Sequence, residues 1–197
     1  MKKLIILIAV LMLSTAAEGG ESVNSDVYLN KKIKITKNTR FAVLPFELTA
    51  SWAQVPNETS TKKSVESKNT EKFELSLLSA GVTVIERNKL DTLLSEQSLS
   101  KTGLTESDSI KIGKMLSADI VVLGTIPLWS YHNDIKKGFI EILIKGIAVE
   151  TGEIVFKTAF DSKIITTYDD FRYDMAQLET KSYKILGDKI KEALEKK

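Results

Sequence analysis

Three observations predict an α/β fold built on a mixed sheet. Short β-branched runs alternate with segments of helical period, a long antiparallel hairpin surrounds residue 151, and the chain ends in one extended amphipathic helix. At 197 residues, with 43% hydrophobic and 27% charged side chains, the composition is that of a single globular domain with its own core. The sequence contains no cysteine, so stability has to come from packing and not from disulfides.

The N-terminal segment reads as targeting information. Lys2 and Lys3 precede the apolar run Leu4 to Leu13 and then Ser14-Thr15-Ala16-Ala17, small residues suited to signal peptidase. The run is about half the roughly 20 residues of a membrane-spanning helix, which favours cleavage near Ala16 or Ala17 over anchorage. Loss of residues 1–17 removes two lysines and no acid, so the formal charge falls from +2 to 0. Residues 18–38, with Lys31, Lys32, Lys34 and Lys37, read as a flexible polar leader or an edge strand, and 39–197 as the folded domain.

Phe41 to Phe46 is a compact apolar strand ending at Pro45, which cannot donate to a sheet ladder. Thr49 to Lys63, rich in Ser, Thr and Asn, reads as a loop. Ser67 to Ala80 carries Phe73, Leu77 and Leu78 at helical spacing, with Gly81 placed for a left-handed cap. Val82 to Ile85 is a strand by its β-branched content. Asn88 with Asp91 and Thr105 with Asp108 have the spacing of capped helix starts, followed by the stripes Leu90, Leu93, Leu94 and Ile112, Met115, Leu116. Ile120 to Leu123, apolar without interruption, is the signature of a strand covered on both faces.

From Gly138 the period changes to two. A two-residue turn at Thr151-Gly152 sets Val149 opposite Ile154, Ile147 opposite Phe156 and Leu143 opposite Phe160, making that side the core. Ile142, Ile144 and Ala148 then share the other side with Lys157, Asp161 and Lys163. Asp169 to Glu195 is a helix whose stripe is Phe171, Met175, Leu178, Ile185, Ile190 and Leu194. The stripe is not a sustained heptad, so the helix is expected to cover the sheet and not to form a coiled coil.

The same residues argue against chemistry. His132, the only imidazole, lies in Trp129-Ser-Tyr-His-Asn-Asp134 without a cysteine nucleophile or a second histidine to build a catalytic site. Asp169-Asp170 suits a helix start and Glu150/Glu153 a turn. No metal-ligand spacing and no glycine-rich phosphate loop occurs, so no catalytic, metal or cofactor-binding residue is assigned. A near-neutral mature chain without aromatics interleaved among its lysines is not a nucleic-acid binder. Trp52, Trp129 and Tyr131, in expected loops or strand ends, are the candidate partner contacts, because exposed aromatics anchor interfaces. Partly buried rim aromatics would have the same pattern.

Phe41–Phe46 (FAVLPF), Val84–Ser98 (VIERNKLDTLLSEQS), Leu116–Ile126 (LSADIVVLGTI) and Ile147–Ile154 (IAVETGEI) resemble, in order and spacing, the curli production assembly/transport (CsgG-like) family. The resemblance implies a periplasmic α/β domain acting without catalysis in envelope assembly or secretion, with other envelope proteins or copies of itself as partners. Channel-forming members carry an N-terminal lipid and insert two hairpins per subunit into the outer membrane. This chain has no lipid-bearing cysteine, and Pro127–Lys137 and Lys163–Asp174 are too short for such hairpins, so membrane contact is at most peripheral. Similar domains occur in lipoprotein activators of penicillin-binding proteins and at the amino terminus of the translocation protein TolB, implying a regulatory binding module as the alternative.

Overall fold

The computed structural model describes residues 21–49, 62–96, 104–132, 137–165 and 171–195. Its centre is a seven-stranded mixed sheet in the order β1-β7-β6-β5-β2-β4, with β3 also paired to β5. The α/β expectation therefore holds. β5 (Ile120–His132), β6 (Lys137–Ala148) and β7 (Ile154–Ile165) form an antiparallel meander, and β1 (Glu21–Leu29) adds antiparallel to β7. On the other side of β5, β2 (Arg40–Val43) and β3 (Glu47–Leu48) run parallel to it, and β4 (Thr83–Val84) runs parallel to β2.

Of the two readings of the leader, residues 21–29 take the second and form an edge strand. Val23, Val27 and Leu29 pack against the core while Asn24, Asp26 and Tyr28 alternate with them on the other face. The lysines follow this strand in a turn where Asn30 Oδ1 accepts the Lys32 N–H at 3.0 Å.

α1 (Lys62–Ala80) starts inside the expected loop. Its buried polar residues fix the chain beyond Pro45: the Phe46 N–H donates to Thr70 Oγ1 (3.0 Å) and the Leu48 N–H to Glu66 Oε1 (3.0 Å). These donors would otherwise be orphaned, which explains why polar side chains occupy the helix's inner face. Gly81 adopts φ +88° and ends α1, as its position predicts.

α2 (Arg87–Glu96) begins one residue before Asn88, so Asn88 lies inside the first turn instead of capping it. Thr105 does cap α3 (Glu106–Met115), accepting the Asp108 N–H at 3.2 Å. Its hydroxyl donates to the Asp108 carboxylate, which holds that group below the usual carboxylate range. Met115 was expected in the α3 stripe but is 49% exposed. The buried stripe runs through Ser109, Ile112 and Gly113 instead.

The hairpin register also differs from expectation. Ile147 pairs with Ile154, Gly146 with Phe156, Leu143 with Ala159 and Ile142 with Phe160. Residues 149–153 connect the strands, and Val155 is the extra residue at a register shift beside Gly146. Strand side chains repeat every two residues, so this one-residue change transfers Ile142 and Ile144 into the core and turns Leu143 outward. The Phe156 ring lies where a side chain at Gly146 would stand: a Cβ there would come within 2.3 Å of it.

Two cores result. On one face, Phe41, Val43, Val122, Ile126, Ile140, Ile142, Ile144, Phe156 and Phe160 pack beneath α1 and the long α4 (Phe171–Glu195). α4 contributes Met175, Leu178, Tyr183, Leu186 and Ile190 to this core, with Ile185 and Leu194 at its margin. On the other face, α2 and α3 bury Ala42, Leu44, Ala118, Val121, Ile147 and Val149 with their own Leu90, Leu94 and Ile112.

Candidate interaction surface

Because α2 and α3 lie over the β2–β5 side and the end of β6 at Lys145 and Ile147, the corresponding face of the rest of β6, of β7 and of β1 has no helix over it among the described residues. Register places three rungs there. Asn24, Asp161, Glu141 and Leu128 form the first; Asp26, Ala159, Leu143 and Thr125 the second; Tyr28, Lys157, Lys145 and Leu123 the third. Tyr28 is 55%, Leu128 39% and Leu143 36% exposed.

Two of these rungs set like charges directly opposite each other, Glu141 against Asp161 and Lys145 against Lys157. Such pairs weaken a sheet, so folding alone does not account for them. Lys145 is compensated by an ion pair with Glu106 at the start of α3. Lys157 has no acidic partner among the described residues. Where α3 gives way to the bare sheet, a cleft of about 340 Å³ opens, floored by Leu104, Leu123 and Leu143 and edged by Glu47, Lys145 and Lys157. Apolar and ionic groups of both signs thus meet on one exposed surface, a mixture suited to a macromolecular contact.

Of the three candidate aromatics, Trp129 is the one whose side chain is described. Trp52 lies outside the described residues. Tyr131 is in β5 opposite Gly138, and its side chain lies outside the described residues. Trp129, opposite Ile140, is half-buried on the helical face, where its indole N–H donates to Glu179 Oε1 at 2.8 Å.

That contact belongs to a buried network the sequence reading missed. Glu179, 5% exposed, also accepts from Asn69 Nδ2 (3.1 Å) and forms an ion pair with Lys72, which in turn donates to the Ala176 carbonyl (3.1 Å). Asn69 Oδ1 accepts the Tyr183 hydroxyl at 2.5 Å. Burial, reinforced by the nearby Glu179 charge, pushes the Tyr183 phenol well above its ordinary pKa of 10.0. With both Glu179 oxygens satisfied, the network locks α1, α4 and β5 together and offers no free base. An acid inside the apolar stripe of α4, between Leu178 and Ser182, was the available signal.

His132 ends β5 and meets the Phe139 ring edge-on, with centroids 5.7 Å apart. Glu150 and Glu153 are at the β6–β7 turn, where the Glu153 N–H donates to Thr151 Oγ1 (3.2 Å), and Asp169 and Asp170 lie outside the described residues. Among the described residues no group of three His, Cys, Asp or Glu could hold a metal, and no helix is long and apolar enough to cross a membrane.

Comparison with known proteins identifies the class. The model of the curli production assembly/transport component CsgG matches residues 24–167, and the chain belongs to that family. The match runs from within β1 to just past β7. Among solved structures, the PelC dodecamer from Paraburkholderia phytofirmans is similar at TM-score 0.55 and 10% identity, over 84% of this chain and 98% of that one. The hypothetical protein CT253 from Chlamydia trachomatis is similar at TM-score 0.53 and 10% identity, over 80% and 98%. At such identities these likenesses show the fold. No curated protein matches the sequence.

Proposed function

We propose that this chain is a non-enzymatic, exported envelope protein that acts in assembly or secretion through protein–protein contacts. The observation that carries the reading is the family match over residues 24–167. The bare face of β6, β7 and β1, with exposed Leu143 in its middle rung and Lys157 without an acidic partner among the described residues, supplies the contact surface. Export rests on the signal-like residues 1–17. The dodecameric state of PelC supports partners that include further copies of the chain. Residues 133–136 are all that separate β5 from β6, and 166–170 all that separate β7 from α4. Either gap is shorter than one roughly 9–11-residue membrane strand, so a hairpin inserted at these points is not part of the proposal.

The test is cross-linking of the mature protein in periplasm, followed by identification of the captured proteins. Envelope assembly or secretion components, lost when Lys157→Glu and Leu143→Glu are introduced together, are the expected result. Unchanged capture by the double variant would remove the bare face from the reading, and capture of no envelope protein would remove the reading itself.

A further inference from the structure

We propose that the free edge of β1 is a dimerisation edge, on which β1 of a second copy pairs antiparallel about a two-fold axis at Ser25. The inference deepens the contact-making reading by naming one partner and one surface.

The direction of the backbone groups comes first. The Asn30 N–H donates to the Val155 carbonyl at 2.7 Å, so the backbone of residue 30 faces β7. The β1–β7 register is continuous from Glu21↔Ile164 to Leu29↔Phe156. Backbone groups alternate along an antiparallel strand, so residues 28, 26, 24 and 22 also face β7. The N–H and C=O groups of Glu21, Val23, Ser25, Val27 and Leu29 therefore point away from the sheet.

Among the described residues no strand pairs with this edge, and its one charge with a described side chain is Asp26. Within Glu21–Leu29 there is no lysine, no proline and no break in register, whereas the opposite edge of the sheet, β4, is only two residues long. Long regular edges of this kind recruit another strand.

The strand is also complementary to itself. With the axis at Ser25, all five outward-facing residues take part: Val23 meets Val27 of the second copy, and Glu21 meets its Leu29. About ten backbone hydrogen bonds would form. The half-buried Val23 and Val27 cover each other beside α4, and Asp26 faces Asn24 of the second copy instead of another acid. Registers centred elsewhere leave outward groups unpaired.

The alternation supplies a selective test. Proline at Ser25 removes an N–H that β7 does not use and places a ring on the free edge, a position where proline is tolerated. Multi-angle light scattering of the purified mature protein should give a mass that is an even multiple of the chain, and Ser25→Pro should halve the smallest such unit. Because the chain has no cysteine, Ser25→Cys introduces a single thiol that should oxidise to a disulfide-linked dimer: the two-fold sets the paired Cα atoms about 5.5 Å apart. Tyr28→Cys, several residues from the axis, should not. A wild-type monomer, an unchanged mass in folded Ser25→Pro, or equal cross-linking of the two cysteine variants would overturn the proposal. If Ser25→Pro does not fold, the cysteine pair decides. These readouts use purified protein alone, so their failure is separable from a failure to capture envelope partners.

Discussion

On β6, Ile140, Ile142 and Ile144 are fully covered beneath the helical layer of α1 and α4, while Glu141, Leu143 and Lys145, one step along the same strand, face the other side, where among the described residues only the start of α3 reaches them, at Lys145. The covered face is apolar apart from a few polar groups, most of them hydrogen-bonded, the buried Thr158 hydroxyl being one without a partner among the described residues. The bare face sets carboxylate against carboxylate and ammonium against ammonium. In a domain whose stability is only about 5–15 kcal/mol, the first arrangement serves the fold and the second does not. The contrast teaches that one strand can carry structure on one side and recognition on the other. It also implies a gradient of mutational cost across the sheet.

The largest loss is expected at Phe46, which is fully buried, lies over Gly124 and meets Phe73 and Tyr183 at centroid distances of 5.7 and 6.1 Å. Phe46→Ala should lower unfolding stability by about 4 kcal/mol in a urea titration, from lost burial and the cavity left behind. A loss under about 1 kcal/mol would show that this face is loosely packed. The buried charge comes next. Glu179→Ala should cost about 3 kcal/mol, because Lys72, Asn69 and the Trp129 indole all lose their acceptor. Trp129 fluorescence should change with it.

How much of this gradient was legible in the sequence depends on whether the signal was local. Gly81 and Thr105 were readable as cap residues because the conformations they support involve only neighbours in the chain. Asn88 was misread by two residues, since α2 begins at Arg87 and its cap position falls at Glu86. The hairpin register was not readable, because it depends on the extra Val155 and on Phe156 filling the space above Gly146. β1 was readable only as one of two alternatives, because the lysines that follow it also suit a flexible leader, although Val23, Val27 and Leu29 carried the strand period. The Glu179 network joins residues about 110 positions apart, and no spacing rule reaches that far. Of the candidate contact residues, Trp129 had the composition of an interface anchor, but its indole is committed to α4, and only topology shows that the bare face lies on the other side.

Tyr183 offers a smaller effect with a pH signature. Tyr183→Phe keeps the ring but leaves Asn69 Oδ1 without its 2.5 Å donor, a loss of about 1 kcal/mol at neutral pH. Burial and Glu179 raise the phenol's folded pKa above the unfolded value near 10.0. Below pH 10 both states keep the proton. Above it the unfolded chain releases the proton while the folded chain retains it, so Tyr183 disfavours folding increasingly as pH rises toward the folded pKa. Stability measured from pH 9 to 11 should therefore fall less steeply in the variant. Parallel slopes would mean that Tyr183 is not shielded as the structure shows.

The smallest effect belongs to the bare face and makes the sharpest comparison, because it uses adjacent residues. Ile142→Ala should cost about 3 kcal/mol, since the side chain is fully buried opposite Phe160. Leu143→Ala should stay within about 0.5 kcal/mol, because Leu143 is already 36% exposed opposite Ala159. The alternative two-residue-turn register predicts the reverse order, so a single pair of urea curves distinguishes the two. A Leu143 variant that keeps its stability yet loses cross-linked partners would separate recognition from folding at one position, which no substitution beneath α4 can do.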